Sequence, residues 1–458
     1  MKNYIIKYCI YFLCGSLLYP CTTILVGKGM TVDGSIIHAH NEDMGNLTVG
    51  RLWKVNHRIA DYDSIYVPYV RIPTSETKLA YWASGNTKQI NREELNRFVL
   101  PYDNILVGMN ESGLTLSCNW MYSREMNLEN KGIRRYAIRQ LILERCSTSL
   151  EAVKLIGELI DTYGQADWGG LTYVIADQTE GWIVETTTHF WVAKKLRDDE
   201  IIAIANQYTI GENFDLSSKH LIQNAIDMGW YNSQAAPFNF KEVYGDPEYL
   251  NEAYDLDREK RVIELLDSKL GRIRPDDLMS ILRDRYHDSD EYAAPTTFEP
   301  DRITCRNNGA KRPICSNLCQ SSFVAHLRPN LPVEFGSVFW YTMATPSYGS
   351  YFPLYPSGDK IIRSFSINNS EETDSTAWWV YRHLQQMIDA ADAEIIKRVR
   401  NETAVITKDI MSEQSEREME IQTYLKVGDV NGSQAIINQY SNQSAIKSLN
   451  SAWEILER

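Results

Sequence analysis

The sequence predicts an α+β protein in which sheets and helices form separate layers, and three observations point there. A β-branched apolar run at 22–26, a turn signal at Asp33-Gly34 and a second apolar run at 36–39 describe a hairpin. Two segments of helical periodicity, 133–145 and 150–163, follow one another directly across Cys146-Ser147-Thr148-Ser149, where Ser147 or Thr148 can cap the second helix. Strand-like runs flank that helical pair, at 104–107 and 114–117 before it and at 171–176, 181–187 and 201–205 after it. Strands, paired helices and strands again do not make the βαβ alternation of a dinucleotide-binding fold.

The remaining elements follow in order. The second arm of the first hairpin runs into the polar cluster His40-Asn41-Glu42-Asp43, so that cluster folds back toward Cys21. Gly108 to Gly113 reads as a turn that delivers Cys118 and Asn119 on the strand after it. Charged amphipathic helices are expected at 255–270 and 276–286, a strand at 338–343, and an ordered Pro- and Tyr-rich loop at 346–356. A long helix is expected over 373–400, packing Trp378, Trp379, Tyr381, Leu384 and Met387, with a solvated helix at 412–420 in a polar tail. No repeat or Pro/Gly/Ser-rich linker divides the chain. One domain over 21–458, with a helical C-terminal extension from about 373, is the simplest organisation.

Composition narrows the function classes. With 458 residues, 43% hydrophobic and 23% charged, the chain can bury a sizeable core. A net charge of -13 argues against nucleic acid as a partner, because phosphate binding needs clustered cations. Residues 1–20 carry Lys2 and Lys7 and then an uncharged run from Tyr8 to Pro20, which reads as a signal peptide or propeptide. An exported protein, periplasmic or extracellular, is expected, with no stable membrane insertion after cleavage. Leu18 and Pro20 are poor signal-peptidase residues, so self-processing is a second route to a chain beginning at Cys21. Of eight cysteines, Cys9 and Cys14 fall in the leader. Cys305, Cys315 and Cys319 have room for one disulfide, and their spacing is a poor zinc pattern. No cofactor or metal is expected.

The stretch CTTILVGKGMTVDGSIIHAHNEDM, starting at Cys21, resembles the amino terminus of the dipeptidase A family of cysteine N-terminal nucleophile hydrolases, with its CTT-hairpin-RNED pattern. The blocks GMNESGLTLSCNW, GGLTYVIAD, WIVE, AIANQY, LRDRY and SSFVAHLRPNLP, with VFWYTMATPSYGSYFPLY after them, resemble family blocks in the same order. The resemblance implies a four-layered αββα sandwich with helical insertions, hydrolysis of short peptides, and kinship with conjugated bile salt (choloylglycine) hydrolases and penicillin V acylases.

The resemblance also assigns tasks. A chain that begins at Cys21 carries thiol and α-amine on one residue, and an amine with a pKa of about 7.7–8.0 is a usable base at neutral pH. Asp43 is the matched acid that holds that amine. Asn119 and Asn206 are the oxyanion-hole candidates. His40 stands where the family has arginine, and Arg261, with Arg258 as its rival, is the candidate for a second arginine. The expected activity is a cysteine dipeptidase acting through a thioester acyl-enzyme on short peptide substrates. Two alternatives remain: an amidase for a bile acid conjugate or an acyl amino acid, and a lipidated protein that binds without turnover. A homo-oligomer is left open.

Overall fold

The computed structural model describes residues 21–44, 49–59, 64–67, 70–87, 103–129, 131–251, 253–287, 312–367 and 375–458; the leader and Cys305 lie outside them. In chain order the elements that matter are β1 (Thr22–Val26), β2 (Ile36–Asp43), β3 (Gly50–Val55), β4 (Tyr81–Thr87), β5 (Asp103–Asn110), β6 (Thr115–Met121), α1 (Arg135–Arg145) and α2 (Ser149–Tyr163). Then come β7 (Gly170–Ala176), β8 (Gly181–Thr186), β9 (Trp191–Lys195), β10 (Ile201–Ile204), β11 (Leu216–Ser217), α3 (Ala253–Leu266) and α4 (Pro275–Leu282). The chain closes with β12 (Cys319–Leu327), β13 (Ser337–Met343), β14 (Phe352–Leu354), α5 (Ala377–Asp389), α6 (Ala393–Lys426) and α7 (Val430–Leu456).

Two antiparallel sheets face each other. One has six strands in the order β10-β1-β2-β12-β13-β14, the other eight in the order β11-β9-β8-β7-β6-β5-β4-β3. Period-two alternation sorts their side chains into layers. On β1, Leu25 enters the core between the sheets with Val107, Met109, Val174, Ile183, Phe323 and Ala325. Its neighbours Ile24 and Val26 turn the other way, against Val262, Leu266, Leu278 and Leu282 of α3 and α4. The outer face of the eight-stranded sheet packs Leu116, Tyr173, Ile175 and Val184 against Ile138, Leu141, Ile142, Val153 and Ile156 of α1 and α2. Helix, sheet, sheet, helix is therefore the layer order, and each fully buried Leu, Ile or Phe in it contributes roughly 1.5–3 kcal/mol. No helix among the described residues is long and apolar enough to cross a membrane.

The local signals place the short elements well. Gly34 takes φ 73 in the turn after Asp33, a conformation that glycine adopts without strain. Thr148 caps α2 through a capping box with Glu151.

Three expectations are corrected. The helix expected over 373–400 is two: α5 stops at Asp389 and α6 starts after Asp392, whose carboxylate caps Ile395 N at 2.9 Å. Residues 412–420 are part of the 34-residue α6, which pairs with α7 and buries Ile410 and Ile421 beside Ile437 and Tyr440. Met387, expected in the packing face of α5, is 39% exposed, whereas Trp378, Tyr381 and Leu384 are buried. In addition, Cys315 and Cys319 are buried free thiols.

Candidate active site

The open end of the β1–β2 hairpin holds the site. Thr22 pairs with Asn41 and Thr23 with His40, so the register continued by one residue sets Cys21 across from Glu42. Strand β12 pairs along the other side of β2, placing Cys319 beside Asp43 and Phe323 beside His40. Cys21, His40, Glu42 and Asp43 are all buried. The Cys21 thiol donates to the carbonyl of Asp43 at 3.7 Å.

The face of β2 that looks across the core is polar where most such faces are apolar. His38 bonds to the hydroxyls of Thr115 and Ser117 on β6 at 3.0 and 2.8 Å. One step further along, His40 Nδ1 lies 2.7 Å from Thr23 Oγ1, and that hydroxyl donates to Asn119 Oδ1 at 2.6 Å. The amide of Asn119 donates to the carbonyls of Cys21, Ile204 and Ala205 at 3.1, 3.3 and 2.9 Å. This chain ties both sheets to the carbonyl of Cys21.

Cations close the site from the opposite face. Arg258 of α3 donates from Nη1 to the Cys21 carbonyl at 2.7 Å and to Thr22 Oγ1 at 3.0 Å. Its Nη2 donates to Asn206 Oδ1 and Asp255 Oδ1, each at 2.7 Å, and Asn206 Nδ2 donates to the Trp120 carbonyl at 2.8 Å. Arg261, one turn along, carries its guanidinium to Asp284 at 2.9 and 3.1 Å. The structure therefore brings Arg258, not Arg261, to Cys21. The helix register decides this, since Arg258 is fully buried against β1 and Arg261 stacks over Tyr286 beside Asp284.

The electrostatics follow from burial. Burial first, then the carboxylates of Glu42 and Asp43, push the Cys21 thiol well above its ordinary value, so a proton acceptor is needed for attack. Burial raises the carboxyl of Asp43 to about 6, against the pull of Arg312, Ser316 and Arg258. Burial also lowers His40, against the pull of Glu42. Asp43 Oδ1 is a buried acceptor with no hydrogen-bond partner among the described residues.

Cys21, His40, Asp43, Asn119, Asn206 and Arg258 thus meet at one place. Asn119 differs from its expected part: three backbone carbonyls occupy its amide hydrogens, so it fixes the Cys21 residue instead of presenting a free donor. Thr23, Glu42 and Arg312 belong to the same place and had no assigned role. Thr23 and Glu42 lie within the matched CTT and NED stretches, and alternation along β1 and β2 puts them on the facing side, whereas Arg312 had no signal.

A buried cysteine leading a strand of an αββα sandwich, with an acid and an arginine converging on it, gives the chain the fold of the N-terminal nucleophile hydrolases. The comparisons with known proteins then give the family. The chain belongs to peptidase family C69, whose model matches residues 20–404, and it is a peptide hydrolase. It is 23% identical over 408 residues to a probable dipeptidase of Latilactobacillus sakei, covering 81% of this chain and 82% of that one. It is 22% identical over 432 residues to dipeptidase A of Lactobacillus helveticus, covering 84% and 88%. Among solved structures it is similar to a conjugated bile acid hydrolase from Clostridium perfringens, at TM-score 0.41 and 14% identity, covering 77% of this chain and all of that one. Penicillin V acylase from Agrobacterium tumefaciens matches at TM-score 0.39 and 14% identity, over 73% and 86%.

Proposed function

We propose that the chain, once it begins at Cys21, is an exported cysteine dipeptidase that hydrolyses dipeptides or other short peptides. Family membership and the dipeptidase names of the relatives support the substrate class. One observation carries the mechanism: the buried Asp43 Oδ1 has no hydrogen-bond partner among the described residues, and an α-ammonium at Cys21 would supply one.

In this reading the neutral amine takes the thiol proton, and the thiolate adds to the substrate carbonyl. Asn206, whose side-chain oxygen accepts from Arg258, is the candidate donor to the oxyanion. The ammonium then returns the proton to the departing amine, leaving a thioester on Cys21. Water adds to the thioester with the amine again as base, and the acid product and free thiol are released. Asn119 and Arg258 hold the Cys21 carbonyl, and with it the position of the sulfur.

The test is a panel of dipeptides assayed with the chain beginning at Cys21 and with its Cys21→Ala variant. Loss of roughly a thousandfold or more in kcat/KM in the variant is expected. Equal rates would remove Cys21 from the mechanism.

A further inference from the structure

Cys21, His40 and Glu42 form a group whose ligand atoms all lie within 4.8 Å of one another, and all three residues are buried. The hydrogen bonds around His40 place a proton on its Nδ1. Thr23 Oγ1 gives its only hydrogen to Asn119 Oδ1, so it must accept from His40 Nδ1–H. In neutral His40 the lone pair is then on Nε2, and it points at Glu42 Oε2 at 3.0 Å. A lone pair and a carboxylate oxygen at that distance repel unless something positive lies between them. A proton serves, and so does a cation.

We propose that Cys21 Sγ, His40 Nε2 and Glu42 Oε2 bind one thiophilic divalent cation of the zinc type, and that this binding reversibly blocks hydrolysis. Zinc bonds of about 2.3 Å to sulfur and about 2.0–2.2 Å to nitrogen and oxygen set tetrahedral ligand separations of roughly 3.3–3.6 Å, which small shifts of these side chains reach. The Thr23 hydroxyl on Nδ1 is the outer partner that a metal-binding histidine ordinarily has. A chain that begins at Cys21 adds its α-amine as a fourth ligand, closing a five-membered chelate with the thiolate; this part rests on the proposed function. Binding expels two protons, one from the thiol and one shared between His40 and Glu42. Two anionic ligands offset the ion's charge. Arg139 adds a positive charge nearby and Asp43 a negative one. With thiolate and amine both ligated, neither nucleophile nor base is available.

The experiment uses the chain beginning at Cys21, stripped with chelator under reducing conditions. Zinc content after titration with zinc chloride and desalting is measured by mass spectrometry, and cobalt(II) binding by absorbance. One zinc per chain and a thiolate-to-cobalt charge-transfer band are expected, with zinc affinity lowered at least about a hundredfold in Cys21→Ser and in His40→Gln. Melting curves establish that both variants are folded. No bound zinc in the wild type, no thiolate band with cobalt, or an unchanged single zinc in both folded variants would overturn the proposal. Hydrolysis assayed in chelator reports on the dipeptidase reading alone, so the two ideas fail separately.

Discussion

Two levels of one strand carry a buried histidine each, and their surroundings differ. At the inner level His38 bonds to the hydroxyls of Thr115 and Ser117 and meets the Phe323 ring edge-on. At the outer level His40 lies between Thr23 and Glu42, beside the Cys21 thiol. Burial lowers both, so desolvation does not distinguish them. What separates a packing histidine from a site histidine here is the partner set: neutral hydroxyls satisfy the first, while a carboxylate and a thiol leave the second open to a proton or a cation.

The largest expected effect lies at the outer level. Asp43→Asn removes the charge proposed to receive the Cys21 amine, and kcat is expected to fall by about a hundredfold or more with little change in melting temperature. Steady-state kinetics on a dipeptide, paired with a melt, checks this; a large loss of stability with unchanged kcat would make Asp43 a packing residue instead.

At the inner level the balance reverses. His38→Leu leaves the Ser117 hydroxyl facing an apolar side chain, at a cost of about 1–3 kcal/mol, while the Thr115 hydroxyl keeps its bond to the Ala176 carbonyl. Chemical denaturation should register that loss, with kcat within a few-fold of wild type. A hundredfold fall in kcat without destabilisation would erase the distinction between the two levels.

The third prediction concerns a buried acid two strands along the eight-stranded sheet from Asn119. Glu185 accepts hydrogen bonds from Thr209 N, Thr209 Oγ1 and Ile210 N, yet burial raises its carboxyl to about 7 from 4.5. A folded-state pKa above the unfolded one means that folding takes up a proton between those values. Stability therefore falls as pH rises through that window, by up to about 1.4 kcal/mol per pH unit. Denaturation midpoints from pH 5 to 7.5 should show that slope, and Glu185→Gln should flatten it.

How much of this was legible in the sequence depends on range. The β1–β2 hairpin, the α1–α2 pair and the Thr148 cap are local devices, and local residues announce them. Strand β12 pairs with β2 across nearly 280 positions of chain, and nothing near Cys319 signals that partner. The polar residues His40 to Asp43 read as the end of a strand, because alternation into a polar layer between two sheets looks from sequence like a loop. Arg258 and Arg261 sit three residues apart on one helix, and only its docking against β1 selects Arg258. The break between α5 and α6 is set by the Asp392 cap, inside a region whose amphipathic pattern runs on without interruption.

The central claim is that the free amine of Cys21 is the base for its own thiol. The direct measurement is the rate of dipeptide hydrolysis by the chain beginning at Cys21 compared with the same chain carrying one extra glycine ahead of it, both shown to be folded by melting. The extension keeps the thiol but turns the amine into an amide, so the rate should fall by about a hundredfold or more. Equal rates in the two chains would contradict the account.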